Sequence, residues 1–454
     1  MQETLFSGIV DKFFRLVVGK ITEKINGKKG AQVLLHKTML VEEYSADQTW
    51  GATEINQSVV AADVVSTNSS LPLKSRGSMG RAVGKIPKMG MKYPKNESDI
   101  DTINVMIARG ANEATVASKI FDDTSKVIMG IDIRKEIMFL EGLSTGMTLV
   151  KDDETNTGTG VRVNFGYKAE NSFHAIKAAW KNTAATPQDD IQQMFDKAQE
   201  DGNSIGHVYI SKKYFDLFRK SEQGRTLAAT FNNQVITKST ILPTPGRSAF
   251  LDAIADEYGA TFHIVNASFK VQQPDGKIKS VRPWEEANIV GVPSEQVGRL
   301  VYGTLAEETN PVEGVKYQKS GTHILVSKYS KTDPLEEFTA GQALVIPVID
   351  GADSIYLLHA DATDKNELSV DPEELEFAGT AQTKQADVHF DGDTSTLSAE
   401  SAVDWATVTM SGDKLKVKVT ANDTEAERSG EITVKSGDKT AIVAIKQTAE
   451  PRQQ

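Results

Sequence analysis

The residue types that most often carry chemistry are histidines and paired carboxylates, and in this chain neither set is spaced for catalysis. Histidines stand at 36, 174, 207, 263, 323, 359 and 389. None pairs at metal spacing, and no H-E-x-x-H occurs to present two of them on one helix face. His207 and His263 open or sit within apolar runs that read as strands, where structural histidines are expected. The pairs Asp122–Asp123, Asp189–Asp190 and Glu307–Glu308 fall in helix starts or polar turns. They are expected to be solvated charges rather than acid–base dyads. There is no G-x-S-x-G elbow, phosphate-binding G-x-x-x-x-G-K-[ST] loop or G-x-G-x-x-G before a helix. The run GTGTG at 156–160 lacks both the lysine and the following helix. The chain has no cysteine. Disulfides, thiolate catalysis, Cys-ligated zinc and a lipid-bearing cysteine are therefore excluded. The expectation is a protein without a catalytic centre, metal or cofactor.

What remains is chemistry of contact. STNSSLPLKSRGSMGRAVGKIPKMGMKYPK (66–95) has no acidic residue and carries Lys74, Arg76, Arg81, Lys85, Lys88, Lys92 and Lys95. Such a stretch can meet a phosphate backbone. With Tyr93 as its one aromatic it offers no stacking platform, so contact with an acidic neighbouring surface is the preferred reading. Gly77, Gly80, Gly84 and Gly90 interrupt helix and predict an extended loop or long hairpin over about 55–96. At the N-terminal end, Leu5, Phe6, Ile9, Val10, Phe13, Phe14, Val17, Ile21 and Ile25 recur at helical spacing, with Lys12, Lys20 and Lys24 elsewhere on the wheel. This predicts an amphipathic arm, about 1–45, whose Phe6, Phe13 and Phe14 bind a partner or pack on a core.

The elements that must position these residues follow from periodicity. NESDIDTINVMIARGANEATVASKIFDDTSKVIMGIDIRKEIMFLEGLSTG (96–146) is strongly helical, with Ser98 and Asp101 resembling a capping box. A continuous helix over 111–142 would be roughly 48 Å long, and the whole is read as a spine over about 98–143. Between 150 and 362, helices at 186–202 (Thr186 as N-cap, Pro187 at N1) and 247–259 alternate with strands such as HVYIS (207–211) and TFHIVNASF (261–269). DGKI (275–278) reads as a hairpin turn. NIVGVP, HILVSKYS and QALVIPVI are further strands. The class is α+β. After a polar linker at 363–375 the pattern changes to strict alternation, with Leu415, Val417 and Val419 inside and Lys414, Lys416 and Lys418 outside. Six or seven short strands predict a β-sandwich over 363–454.

Charge separates the same two regions. The chain carries −11, and residues 366–454, with 9 Lys/Arg against 17 Asp/Glu, supply −8 of it, leaving −3 for the rest. An acidic tail fits a displayed module rather than a nucleic-acid grip. No run of eighteen apolar residues predicts a membrane span. Asp11, Lys12 and Arg15 interrupt the first apolar stretch, so a secretion signal is not expected and folding in a bacterial cytoplasm is.

An arm, an extended loop, a long spine and an α+β body resemble the major capsid proteins of tailed bacteriophages, of the Hong Kong 97 kind. The stretch VRPWEEANIVGVPSEQVGRLVYGTLAEE (281–308) resembles the coat segment preceding the return strands. KYSKTDPLEEFTAGQALVIPVIDGADSIYLLHA (328–360) resembles the closing segment. Over residues 1–360 the resemblance implies a body (46–362) that tiles as hexamers and pentamers into a DNA-filled icosahedral shell. It implies a virion location after assembly in the host cytoplasm. The partners implied are a portal, a scaffolding protein and non-specifically packaged DNA. The loop residues Lys74, Arg76, Arg81, Lys85, Lys88 and Lys92, with the arm's Phe6, Phe13 and Phe14, would face neighbouring subunits. In some relatives a loop lysine is crosslinked, and Lys74 or Lys85 would stand in that place. The tail resembles a BACON domain (Bacteroidetes-associated carbohydrate-binding, often N-terminal) through Trp405, Gly412, Asn422, Arg428, Gly430 and Gln447. The second tryptophan usual in that family is replaced here, nearest by Leu397. Trp405 is a glycan platform or, preferred, a core plug, and host or mucosal glycans are implied partners. The alternative to a coat subunit is a secreted or surface Bacteroidetes protein that binds or degrades carbohydrate through a BACON domain.

Overall fold

The structure, a computed structural model, describes residues 2–26, 34–53, 81–150, 161–233, 242–273, 275–363, 368–372, 374–390, 397–424, 426–436 and 439–449. The chain divides into two units, Met1–Asp361 and Ala362–Gln454.

In the first unit, helix α1 (Ser7–Asn26) buries one side chain per turn: Val10, Phe14 and Val18, with Phe6 just ahead of it. They join the same core as the central helix and the large sheet. The N-terminal segment is therefore packed on its own body, a correction to the reading of Phe6 and Phe14 as partner-facing. Spacing shows that a helix has an apolar face but not whose surface covers it. The segment is also tied polar-group to polar-group. Gln2 and Ser330 exchange backbone hydrogen bonds of 3.0 and 3.1 Å. The buried Glu337 carboxylate accepts from the Thr4 hydroxyl and, at 3.1 Å, from the Leu5 amide.

After α2 (His36–Met39) the expected spine divides into α3 (Glu97–Ala108), α4 (Glu113–Ile120) and α5 (Thr124–Thr145). One continuous helix over 111–142 is not formed. Gly110, at φ +71°, ends α3, and the Asn112 side chain starts α4 by accepting from Ala114 N at 2.8 Å. Asp122 and Asp123 then turn out of the helix to meet Lys95. The cap of α3 is Asn96 with Asp99 rather than Ser98 with Asp101. Asn96 bonds the free amide of Asp99, and the Asp99 carboxylate bonds back. What remains as spine is α5, about 33 Å of helix. It is buried along most of its length and stops at Gly146, whose left-handed φ of +73° suits glycine.

The α5 helix lies against a sheet ordered Leu40–Tyr44, Gly298–Gly303, Glu336–Ile349, Ile324–Lys331, Lys316–Ser320, with Lys88–Lys95 paired along Glu336–Ile349. Close approach is set by Gly341, where a Cβ would stand 2.9 Å from that of Val127. A second core holds the five-stranded sheet Ser172–Ala175, Tyr356–Thr363, Asn288–Val292, His207–Ser211, Thr261–Val265. Its last two strands are parallel, joined through α7 (Lys212–Lys220), α8 (Glu222–Phe231) and α9 (Arg247–Tyr258). α6 (Pro187–Glu200) precedes them and starts, as read, with Pro187 at N1. The apolar residues of α6, α7 and α9 (Ile191, Met194, Phe215, Phe218, Phe250, Ile254) are fully buried there. The unit is α+β.

The second unit is a sandwich of two four-stranded sheets. One is ordered Ser369–Asp371, Gln382–His389, Lys414–Val419, Ala406–Ser411. The other is ordered Glu374–Phe377, Lys439–Gln447, Arg428–Ser436, Ser398–Ser401. Alternation decides its inside: Leu415, Val417 and Val419 face Ile432, Val434, Val443 and Ile445 in one core. Lys414, Lys416 and Lys418 point to water.

Candidate assembly interface

The extended region begins as a two-stranded antiparallel stem, Thr49–Thr53 against Arg81–Lys85, and residues 54–80 join its strands. Lys74 and Arg76 lie outside the described residues. Arg81 heads the returning strand, opposite Thr53. Trp50 ties the stem to the body, buried in its core with its ring tilted against Phe165 at 6.5 Å. Across the stem the Gly84 backbone passes so near that a Cβ would sit 2.8 Å from the indole nitrogen. Lys85 is exposed at the foot of the stem, Lys88 stands 3.8 Å from Glu307, and Lys92 lies over the Phe338 ring at 5.1 Å. Lys95, the last of the series, is buried between Asp122 and Asp123, 3.0 Å from the latter. Burial works to lower its pKa, but the two carboxylates outweigh this and raise it.

The stem is rooted at Arg299. Its guanidinium grips both oxygens of Asp350 at 2.7 and 2.9 Å, donates to Glu43 at 2.7 Å and to the Gly51 carbonyl at 2.7 Å. A planar fork satisfying a carboxylate and a strand carbonyl together holds the stem at a fixed angle to the sheet. Grooves of about 440 and 380 Å³ flank this arginine, one lined by Val41, Pro293 and Ile355, the other by Tyr44, Trp50 and Val301. Periodicity gave no sign of this hub, because its four groups come from four separate segments.

A second cluster that sequence reasoning missed sits under α5. The Glu136 carboxylate accepts from the Leu35 and His36 amides, each at 2.9 Å, and contacts His36 Nδ1 at 2.7 Å, all buried. Asp132 binds Lys135 and Lys37, each at 2.7 Å. Lys135 in turn contacts His323 Nε2 at 2.9 Å. Burial lowers the His36 pKa despite the Glu136 hydrogen bond. Burial together with Lys135 lowers His323 to about 3. Burial also lowers Lys135, whereas the two lysines overcome the desolvation of Asp132 and lower it. The available signal was Asp132, Lys135 and Glu136 standing between the apolar residues of a helix.

Three further histidines are satisfied by neighbours. His207 and His263 meet at 3.0 Å, and His359 binds Asn288 at 2.8 Å and Ser172 at 3.0 Å. No group of three metal-capable side chains occurs among the described residues. The carboxylate pairs need correction, since half of each of two pairs is buried. Asp123 carries Lys95 and Lys126, and Asp190 accepts from Ile176 N at 2.7 Å and the Trp180 indole at 2.6 Å. These carboxylates join elements together, which is a structural use. On α1, Phe14 stacks on Phe121 at 5.6 Å and Phe13 is half-buried on the same core, while Leu16 is 60% exposed.

In the sandwich, Trp405 packs against the core with Arg428 over its ring at 4.4 Å. Arg428 is itself held by Gln447 at 2.9 Å and by the Thr420 and Ala421 carbonyls. Gly430 makes room chiefly for Val403: a Cβ there would stand 2.7 Å from that side chain and 3.4 Å from the indole. The indole is half-buried, with Arg428 over its ring.

The comparisons bear on the whole chain. The family model for phage major capsid protein E matches residues 18–388, and the BACON domain model matches 394–448. No protein of curated function matches. Among solved structures, a phage-related protein from Bordetella bronchiseptica is 12% identical, covering 75% of this chain and 96% of its own, with a TM-score of 0.40. The capsid of cyanophage A-1(L) is 13% identical over 74% and 94%, at 0.34. A Bacteroides thetaiotaomicron protein is 16% identical over 19% of this chain and 91% of its own, at 0.16. The structural likenesses are distant, and the family match spans most of the chain, which decides against the reading as a secreted glycan-active protein. The chain belongs to the phage major capsid protein E family, a structural and non-enzymatic coat protein that carries a BACON domain behind its body.

Proposed function

We infer that this protein is the shell-forming subunit of an icosahedral, DNA-filled phage head of the Hong Kong 97 kind, tiling as hexamers and pentamers. The observation that carries this reading is the family match over 18–388, which takes in α5, both body sheets and the rooted stem. The extended loop, about 55–96, lies over a neighbouring subunit, where Lys74, Arg76, Arg81, Lys85, Lys88 and Lys92 meet acidic surface. A portal at one vertex, a scaffolding protein and non-specifically held DNA complete the particle, which assembles in the host cytoplasm. The sandwich is displayed on the shell exterior as a module with its own core, where it meets host or mucosal glycans.

Electron microscopy of the purified full chain tests this. Shells, capsomers or capsomer sheets are expected, and a chain that stays monomeric under assembly conditions overturns the reading. Glycan arrays probed with assembled particles test the tail. Absence of signal leaves display or shell stabilisation as its role.

A further inference from the structure

Two surfaces of the body are opposite in charge and stand on different cores. The first is the hairpin Phe269–Gln272 with Ile278–Val281, which pairs with no other strand among the described residues. Phe269 and Val271 are buried in the core of the large sheet. Val281 packs against the same core, and most of the other described positions are exposed; residues 269–282 carry Lys270, Lys277, Lys279 and Arg282 against Asp275 alone. Lys277 and Arg282 pair only with Asp275 and Glu286 of their own segment, at 2.7 and 3.5 Å and 80% and 72% exposed, contacts of little energetic weight. Ile278 is 69% exposed, the most exposed large apolar side chain among the described residues.

The second surface is helical. α6 and α9 lie side by side: Phe195 stacks on Tyr258 at 4.9 Å, and the Tyr258 hydroxyl donates to the Gln188 carbonyl at 3.0 Å. Asp189, Asp196 and Glu200 of α6 and Asp252, Asp256 and Glu257 of α9 are all exposed. The only cations on these two helices are Lys197, engaged by Asp201, and Arg247. Burial, reinforced by the carboxylates of Glu257, Asp189 and Asp190, pushes the Tyr258 hydroxyl up. The half-buried Phe195–Tyr258 pair is an apolar seat among these charges.

We propose that the hairpin of one copy docks on the α6–α9 face of the next, with Ile278 against the Phe195–Tyr258 pair and Lys270 and Lys277 against Asp252 and Asp256. This rests on the shell-forming reading and names a pair of surfaces that join its subunits. Hairpin on hairpin, or helix on helix, would set like charges together, so two-fold pairing through either surface is disfavoured. Joining two different surfaces of identical copies runs head to tail, and where the rotation closes it makes a ring, the symmetry a capsomer needs.

The test uses charge reversal in the full chain. Lys270→Glu/Lys277→Glu and Asp252→Lys/Asp256→Lys are each expected to fold, by circular dichroism and melting, and to lose assembly by about tenfold or more in sedimentation. Combining all four substitutions in one chain is expected to restore assembly, because every contact again joins opposite charges. Mixing the two is expected to restore rings with an even number of copies, in which they alternate. Variants that each assemble like the parent overturn the proposal. So do folded variants that neither mixture nor combination rescues. Failure of the parent itself to assemble is a different result and removes the shell-forming reading instead.

Discussion

Lys135 and His323 meet at 2.9 Å between the ammonium and Nε2, both buried, so His323 accepts there and must be neutral. Its Nδ1 faces the Thr322 hydroxyl at 2.9 Å, and that hydroxyl donates to Glu42 at 2.7 Å. The contact joins α5 to the turn between two strands of the large sheet, and its protonation has a definite sign. The folded pKa of His323, about 3, lies below the unfolded 6.5. The unfolded state therefore binds more protons as pH falls below about 6.5, and stability drops. His36 is shifted the same way and adds to the loss. From pH 7 to 4.5, His323 alone should cost the body about 3 kcal/mol. Melting of the body against pH checks this. His323→Gln should flatten the slope, and an unchanged slope would remove the histidine from the account.

The Arg299 hub predicts a local effect. Arg299→Ala leaves Asp350 and the Gly51 carbonyl without their guanidinium and should cost about 2 kcal/mol, allowing for its partial exposure. Arg299→Lys should recover less than half, because an ammonium cannot hold both Asp350 oxygens and the strand carbonyl. Limited proteolysis, read by mass spectrometry, should show earlier cutting within the stem.

On α1, two substitutions separate the helix's own-core face from its outer face. Phe14→Ala empties a buried site beside Phe121 and should cost about 3–4 kcal/mol in chemical denaturation. Leu16→Ser changes an exposed position and should stay within about 0.5 kcal/mol. A reversed order of effects would mean that α1 docks the other way round.

In the sandwich, Trp405→Ala should destabilise that unit by about 3 kcal/mol, seen as a lower melting transition of the tail. Arg428→Ala should reproduce part of this through loss of the lid over the ring. Because the second unit has its own core, a chain ending at 362 should still form shells. Folded protein that no longer assembles would give the tail a part in closure.

How legible the fold was depended on the range of the forces involved. The tail strands 406–411 and 414–419 were readable, since strict alternation leaves only one side for Val417 and Val419. The helix ended by Gly259 and the turn at 275–278 were readable for the same local reasons. The continuous spine was not: Gly110 and the Asp122–Asp123 turn sit inside an unbroken apolar rhythm, and the departure at Asp122 is made by Lys95, a residue on a distant strand. Of the residues expected at an interface, Lys88 and Lys92 are exposed in the folded chain and Phe6 and Phe14 are buried in its core.

What the sequence determined alone was the presence of an α+β body and an all-β tail, the lack of cysteine chemistry, and the distribution of charge. These follow from short-range periodicity and from composition. What only the tertiary structure decided was destination: that α1 folds onto its own sheet, that Asp190, Glu136 and Glu337 are buried beneath partners, and that Arg299 roots the stem. A side chain's type fixes what it can bond, but its partner may stand three hundred residues away, as Thr4 does from Glu337, and only folding brings the two within reach.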